Sequence, residues 1–217
     1  RDLHSFPTRR SSDLLDCRAA LIIEVDGDRE VLDGQIDRIL SIIQPLGVLE
    51  TRVAATDEES EAIWKVRRSV SPSLRNLNPN KFNEDIVTPR SRVPEMIRAL
   101  EAVSSRYGVP IVNFGHAGDG NIHVNVMVDL AEAGMEEKAQ LALHDIFRAT
   151  VDLGGSISGE HGIGTAKAAY VGMELDPATL AAMRTIKKAL DPNNIMNPGK
   201  IFLDDQPEPG QPPGECA

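Results

Sequence analysis

Apolar positions along this chain alternate between strand-like and helix-like periods. Residues 19–25 (AALIIEV) form a short apolar run closed by the turn signal Asp26-Gly27, which predicts a buried strand. Val31, Ile36, Ile39, Leu40 and Ile43 then mark one face of a helix that stops near Gly47. Residues 48–55 read as a second strand. Asp57 opens an acidic first helical turn leading into Ala62, Ile63, Val66 and Val70, and Pro72 should end or bend that helix. Residues 82–87 are strand-like, 93–107 helical, and 111–128 hold two strands around a Gly-Asp-Gly turn. Helices follow at about 132–153 and 177–190. Strands mixed singly and in hairpins with helices predict an α+β fold, with helices packed on a ferredoxin-like antiparallel or mixed sheet rather than a doubly wound one.

The densest polar signal interrupts the apolar pattern at Asn113-Phe-Gly-His-Ala-Gly-Asp-Gly-Asn-Ile-His-Val-Asn125. If residues 117–120 form a four-residue hairpin loop, His116 and Asn121 stand opposite each other. Period-two alternation then puts Asn121, His123 and Asn125 on the face of His116. A half-buried strand face normally carries Val or Ile. Two imidazoles beside two amides on one face need a ligand to satisfy them, and Asn125 is a candidate substrate contact. A hydrogen-bonded core histidine would explain either His116 or His123 taken singly.

A second cluster is Gly155-Ser-Ile-Ser-Gly-Glu-His-Gly-Ile-Gly164. Its glycines permit tight turns or close backbone approach around Glu160 and His161. His116, His123 and Glu160 together make a usual Zn²⁺ or Mn²⁺ donor set with positions left open for substrate oxygens. His161 stays free as a base near neutral pH. Standing by itself, this cluster would read as a helix cap at Glu160 with a packed His161. His144 lies in a helical segment without such company and reads as a surface or boundary residue. Both glycine clusters have the spacing G-x-x-G-x-G, the reverse of the dinucleotide fingerprint, which argues against a nicotinamide domain.

Composition narrows the field further. Only Cys17 and Cys216 are present, so neither a disulfide framework nor a thiolate cluster is available within one chain. A net charge of −10 disfavours nucleic acid as a partner, and an anionic substrate would need locally placed positive charge. No apolar run approaches the ~18 residues of a membrane span, which makes the cytoplasm the default compartment. Residues 1–14 (RDLHSFPTRRSSDL) carry no period and read as a non-native extension resembling translated adaptor sequence. Residues 15–203 form the expected domain, and the Pro- and Gly-rich 204–217 a disordered tail.

The motifs GHAGDGNIHVNV, SGEHGIG and ALDPNNIMNPGKIF, in this order, resemble the C-terminal domain of FAD-linked oxidases. That family includes D-lactate dehydrogenase, glycolate oxidase and D-2-hydroxyglutarate dehydrogenase. The resemblance implies a metal held by His116, His123 and Glu160, a 2-hydroxy acid bound through it, His161 as the base, and hydride transfer from C2 to FAD. Trp64-Lys-Val-Arg67 resembles the family's Trp-x-x-Arg segment, whose arginine grips the substrate carboxylate; a solvated helix face would explain Arg67 equally well. Asn197-Pro-Gly-Lys200 resembles the flavin-proximal terminus and makes Asn197 the cofactor-binding candidate, although a turn after a helix has the same composition. Lys81 departs from the family spacing to Asp85.

The resemblance also implies that FAD sits chiefly on an N-terminal domain not contained in these residues. The expected entity is therefore a substrate- and metal-binding fragment or cap subunit that needs an FAD-binding domain or subunit as partner. Homo-oligomerisation stays open. A zinc-dependent hydrolase using the same ligands, and a noncatalytic cap or interaction module, are the competing readings. The hydrolase lacks an H-E-x-x-H helix signature.

Overall fold

The computed structural model describes Cys17 and residues 19–203. The proposed extension at 1–14 and the tail at 204–217 lie outside the described residues. The chain divides into two units, up to Val66 and from Arg67 on, and the division falls inside a helix.

In the first unit α1 (Arg29–Ile43) follows the expected apolar face and passes through a 3₁₀ turn to Gly47, whose φ of 74° closes it in the left-handed region. Helix α2 (Asp57–Ser73) opens on three acids, Asp57, Glu58 and Glu59, which suit the positive end of the helix dipole. It continues through Pro72 to Ser73, so the proline sits in the last turn rather than before the end. The two strands expected at residues 19–25 and 48–55 are not strands: neither stretch has a ladder partner among the described residues. Leu21, Ile23, Leu49 and Val53 are exposed. An apolar, β-branched run favours extended backbone, but it becomes a strand only when a neighbour takes its N–H and C=O groups.

The second unit is an α+β arrangement, as expected, with helices packed on an antiparallel sheet. Strands β1 (Asn80–Val87), β2 (Ile111–His116) and β3 (Asn121–Val128) lie in the order β1-β3-β2. Helix α3 (Val93–Tyr107) ends on Gly108 at φ 65°, and α4 (Met135–Asp152) packs beside it. Their apolar faces bury Met96, Leu100, Ile146 and Phe147 against Ile86, Ile122, Val124 and Val126 from one face of the sheet. Deleting such a side chain, for example Ile86→Ala, typically costs about 2–5 kcal/mol.

The short α5 (Val171–Glu174) and α6 (Pro177–Leu190) follow. Asp176 caps α6 by accepting from the Ala178 and Thr179 amides at 2.8 and 2.9 Å. Beyond α6, Asp191 accepts from the Ile195 and Met196 amides, at 3.0 and 2.9 Å, and from Lys187. That clip folds residues 191–196 back on the helix end.

The edge of β1 away from β3 is covered at its C-terminal end, from Asp85 to Val87. Val87 and Ser156 exchange backbone hydrogen bonds at 2.9 Å in both directions, and residues 156–167 continue beside that edge. The stretch before Glu160 is thus one bridge followed by bends, not a strand. No helix among the described residues is long and apolar enough to cross a membrane.

Candidate metal centre

The hairpin between β2 and β3 sets the first two candidate ligands. His116 pairs with Asn121 across the turn, and the Asp119 and Gly120 amides donate to the His116 carbonyl at 3.3 and 3.0 Å. Gly120 is required here: its φ is +83°, and a Cβ would lie 1.9 Å from the Thr88 carbonyl oxygen. Alternation then brings the His116 and His123 rings together edge to face, with centroids 5.6 Å apart. The opposite face of β3 presents Ile122, Val124 and Val126 to the core.

Glu160 arrives from the loop along β1. One ligand atom from each of His116, His123 and Glu160 lies within 4.8 Å of the others, with His116 Nε2 3.8 Å from Glu160 Oε1. Burial pushes the His123 imidazole below its ordinary pKa; Glu160 opposes that shift and His116 reinforces it. A neutral imidazole is the form that can ligate a cation. His161 stacks on His123 at 5.7 Å with rings 19° apart.

The remaining candidates fall at different distances from this cluster. The Arg67 guanidinium lies over the Phe114 ring at 4.6 Å, and Phe114 in turn packs against His123 with centroids 5.6 Å apart. Arg67 is therefore one aromatic ring away from the histidines rather than on a purely solvated face. Asn125 is fully buried; its Nδ2 donates to the Val112 carbonyl at 3.0 Å, while its Oδ1 has no partner among the described residues. Asn121, also buried, has neither side-chain amide atom partnered among the described residues. Asn197 is exposed at φ 51°, and the segment after it is tied to the glycine loop by the Ile201 amide, which donates to the Gly164 carbonyl at 2.8 Å. Lys81 points elsewhere, donating to Ser71 Oγ at 3.1 Å. His144 is half exposed beside Asp145.

Two residues not singled out from the sequence underlie the loop. Asp85, fully buried opposite His123 on β1, accepts through Oδ2 from the amides of Gly159 at 2.9 Å, of Glu160, and of His161 at 3.1 Å. Its Oδ1 accepts from Lys167 Nζ at 2.9 Å and lies 3.4 Å from His161 Nδ1. Burial pushes the Asp85 carboxyl up, but the Lys167 and backbone hydrogen bonds outweigh it and hold the group well below the usual carboxylate range. Lys167, also buried, donates to the Asp85 carbonyl at 2.7 Å and sits 3.6 Å from Glu84. For Glu84 burial wins over Lys167 and raises the pKa. The available signal was the pair Glu84-Asp85 inside an otherwise strand-like run.

Close packing makes this loop intolerant of added bulk. A Cβ on Gly159 would lie 2.0 Å from Asn121 Nδ2, 2.8 Å from Val87 Cγ2 and 3.0 Å from Asp85 Oδ2. Gly159→Ala should therefore destabilise the chain by the ~1–3 kcal/mol typical of overpacking. An unchanged thermal midpoint would contradict the packing described.

The family model of FAD linked oxidases, C-terminal domain, matches residues 4–201. The chain belongs to this family. Glycolate oxidase subunit GlcD of Bacillus subtilis (strain 168) is 38% identical over 188 residues, covering 87% of this chain and 40% of that protein. A D-lactate dehydrogenase of Archaeoglobus fulgidus is 34% identical over 77% of this chain and 36% of its own length. A D-2-hydroxyglutarate dehydrogenase of Stutzerimonas stutzeri (strain A1501) is 33% identical over 71% of this chain and 34% of its own. This chain thus spans roughly two fifths or less of these relatives. A 4-ethylphenol oxidase from Gulosibacter chungangensis shares the fold, with TM-score 0.55 and 18% identity over 85% of this chain and 39% of that one.

Proposed function

We propose that this chain is the substrate- and metal-binding part of a flavin-dependent 2-hydroxy acid dehydrogenase, working with an FAD-binding domain or subunit. The observation that carries the reading is the convergence of His116, His123 and Glu160 beside His161 in a member of the FAD-linked oxidases. The relatives named for glycolate, D-lactate and D-2-hydroxyglutarate all take 2-hydroxy acids, which supports that substrate class here.

The donor set fits a divalent cation: two imidazole nitrogens and a carboxylate leave coordination positions open, and the orphaned Asn121 and Asn125 amide atoms lie on the same strand face. When bound, Zn²⁺ or Mn²⁺ supplies Lewis-acid polarisation of the substrate oxygens, and FAD on the partner domain supplies the hydride acceptor. His161 takes the hydroxyl proton on an imidazole nitrogen as C2 gives up its hydride, leaving a 2-oxo acid. Arg67 pairs its planar fork with the substrate carboxylate. Asn125 Oδ1 offers a buried acceptor that orients the bound acid, and Asn197 contacts the flavin from the loop tied to Gly164.

Co-expression with an FAD-binding domain, followed by dye reduction on glycolate, D-lactate and D-2-hydroxyglutarate, tests this reading. Metal-dependent reduction with formation of the 2-oxo acid is expected. A flavin-loaded, metal-replete complex that reduces no dye with any of them would sink the dehydrogenase assignment. Failure of the chain to take up Zn²⁺ or Mn²⁺ would leave the noncatalytic cap.

A further inference from the structure

We propose that Asp85 is a positioning residue: it anchors the backbone of Glu160 and His161 and turns the His161 imidazole so that Nδ1–H faces Asp85 and Nε2 faces the open site. The inference deepens, and rests on, the reading of His161 as the proton acceptor.

Three consecutive amides, from Gly159, Glu160 and His161, converge on one carboxylate oxygen of a fully buried side chain. Such a run of N–H groups is a nest for negative charge, and a buried carboxylate in turn needs that many donors to be tolerated. The backbone carrying a candidate metal ligand and the candidate base is thus pinned to β1, the strand paired with β3 and His123. Lys167 fixes the anchor itself, donating both to Oδ1 and to the Asp85 carbonyl at the strand edge.

The second carboxylate oxygen decides the imidazole. Asp85 Oδ1 lies 3.4 Å from His161 Nδ1 and, being ionised, can only accept. A neutral imidazole has one N–H. With that hydrogen on Nδ1 the contact is attractive; with it on Nε2, two lone pairs would face each other at a carboxylate that is itself buried beside the half-exposed His161 ring. The His123 ring lies nearly parallel to that of His161, with centroids 5.7 Å apart and planes 19° apart. Nε2 is left with its lone pair free, the condition for accepting a proton. A loop staple with no influence on His161 would explain the three amides but makes no demand on the tautomer.

The test uses the full chain, metal-free and ¹⁵N-labelled at histidine, at about pH 8.5, two units above the ordinary histidine pKa. Two-bond ¹⁵N–¹H correlation spectra, with the His161 signals assigned by their loss in His161→Gln, should show His161 as the Nδ1–H tautomer. In Asp85→Asn the equilibrium should move toward Nε2–H, and affinity for Co²⁺ should fall ~10–100-fold, the usual effect of losing an outer-shell support. His161 found as Nε2–H in the unsubstituted chain, or an unchanged tautomer in folded Asp85→Asn, would overturn the proposal. If Asp85→Asn does not fold, the spectrum of the unsubstituted chain decides by itself. Absence of Co²⁺ binding by the unsubstituted chain would remove the metal reading, while the tautomer would still decide the role of Asp85.

Discussion

His123→Ala should abolish stoichiometric Zn²⁺ binding by this chain while leaving its fold intact. The reason is geometric: three side chains supply the candidate donors, and His123 stands between the other two histidines, 5.6 Å from His116 and 5.7 Å from His161 by ring centroid. Removing a direct ligand should weaken binding beyond the ~10–100-fold that loss of an outer-shell partner costs. The fold should survive because the core contacts of β3 come from its other face, through Ile122, Val124 and Val126. Competition against a zinc chelator, with circular dichroism as the structural control, measures both. His144→Ala, at a half-exposed surface position, should bind zinc as the unsubstituted chain does. Unaltered zinc affinity in His123→Ala would move the ion elsewhere or remove it.

The hairpin was readable in the sequence because every determinant of it is local. A four-residue Gly-Asp turn fixes the register, and register fixes which side chains share a face, so the pairing of His116 with Asn121 follows from counting. Helices at 93–107 and 177–190 were readable for the same reason, each having a regular apolar face and a Gly or Asp-Pro terminus. What the sequence concealed depends on distant partners. Asp85 meets the amides of residues 159–161 more than 70 positions away, and the acidic pair Glu84-Asp85 marks an unusual strand position without identifying that partner. The runs at 19–25 and 48–55 failed as strands for the complementary reason: an apolar extended stretch looks the same whether or not another strand pairs with it. Gly159 was readable as permissive, but its closeness to Asn121 Nδ2 was not.

In an enzyme reconstituted with its FAD-binding domain, His161→Ala should chiefly lower kcat, whereas Arg67→Ala should chiefly raise KM for the hydroxy acid. If His161 is the base proposed above, its proton transfer develops only in the transition state, so its loss should cost on the order of 10²–10⁴ in rate with little change in KM. A carboxylate clamp acts already in the ground state. Losing its charge-assisted hydrogen bonds, worth about 1.5–3 kcal/mol, should raise KM ~10–100-fold. Arg67 also packs on Phe114, and Phe114 on His123, so its removal could loosen the histidines and lower kcat as a secondary effect. Arg67→Lys separates the two contributions: it keeps a positive charge but loses the planar fork, and should recover only part of the KM loss. Metal content should survive in all three variants, since neither residue belongs to the set formed by His116, His123 and Glu160. Steady-state kinetics with metal and flavin quantified in each variant are the measurement. Loss of metal in His161→Ala would make that histidine a ligand, and unchanged kinetics in Arg67→Ala would return Arg67 to a packing role against Phe114.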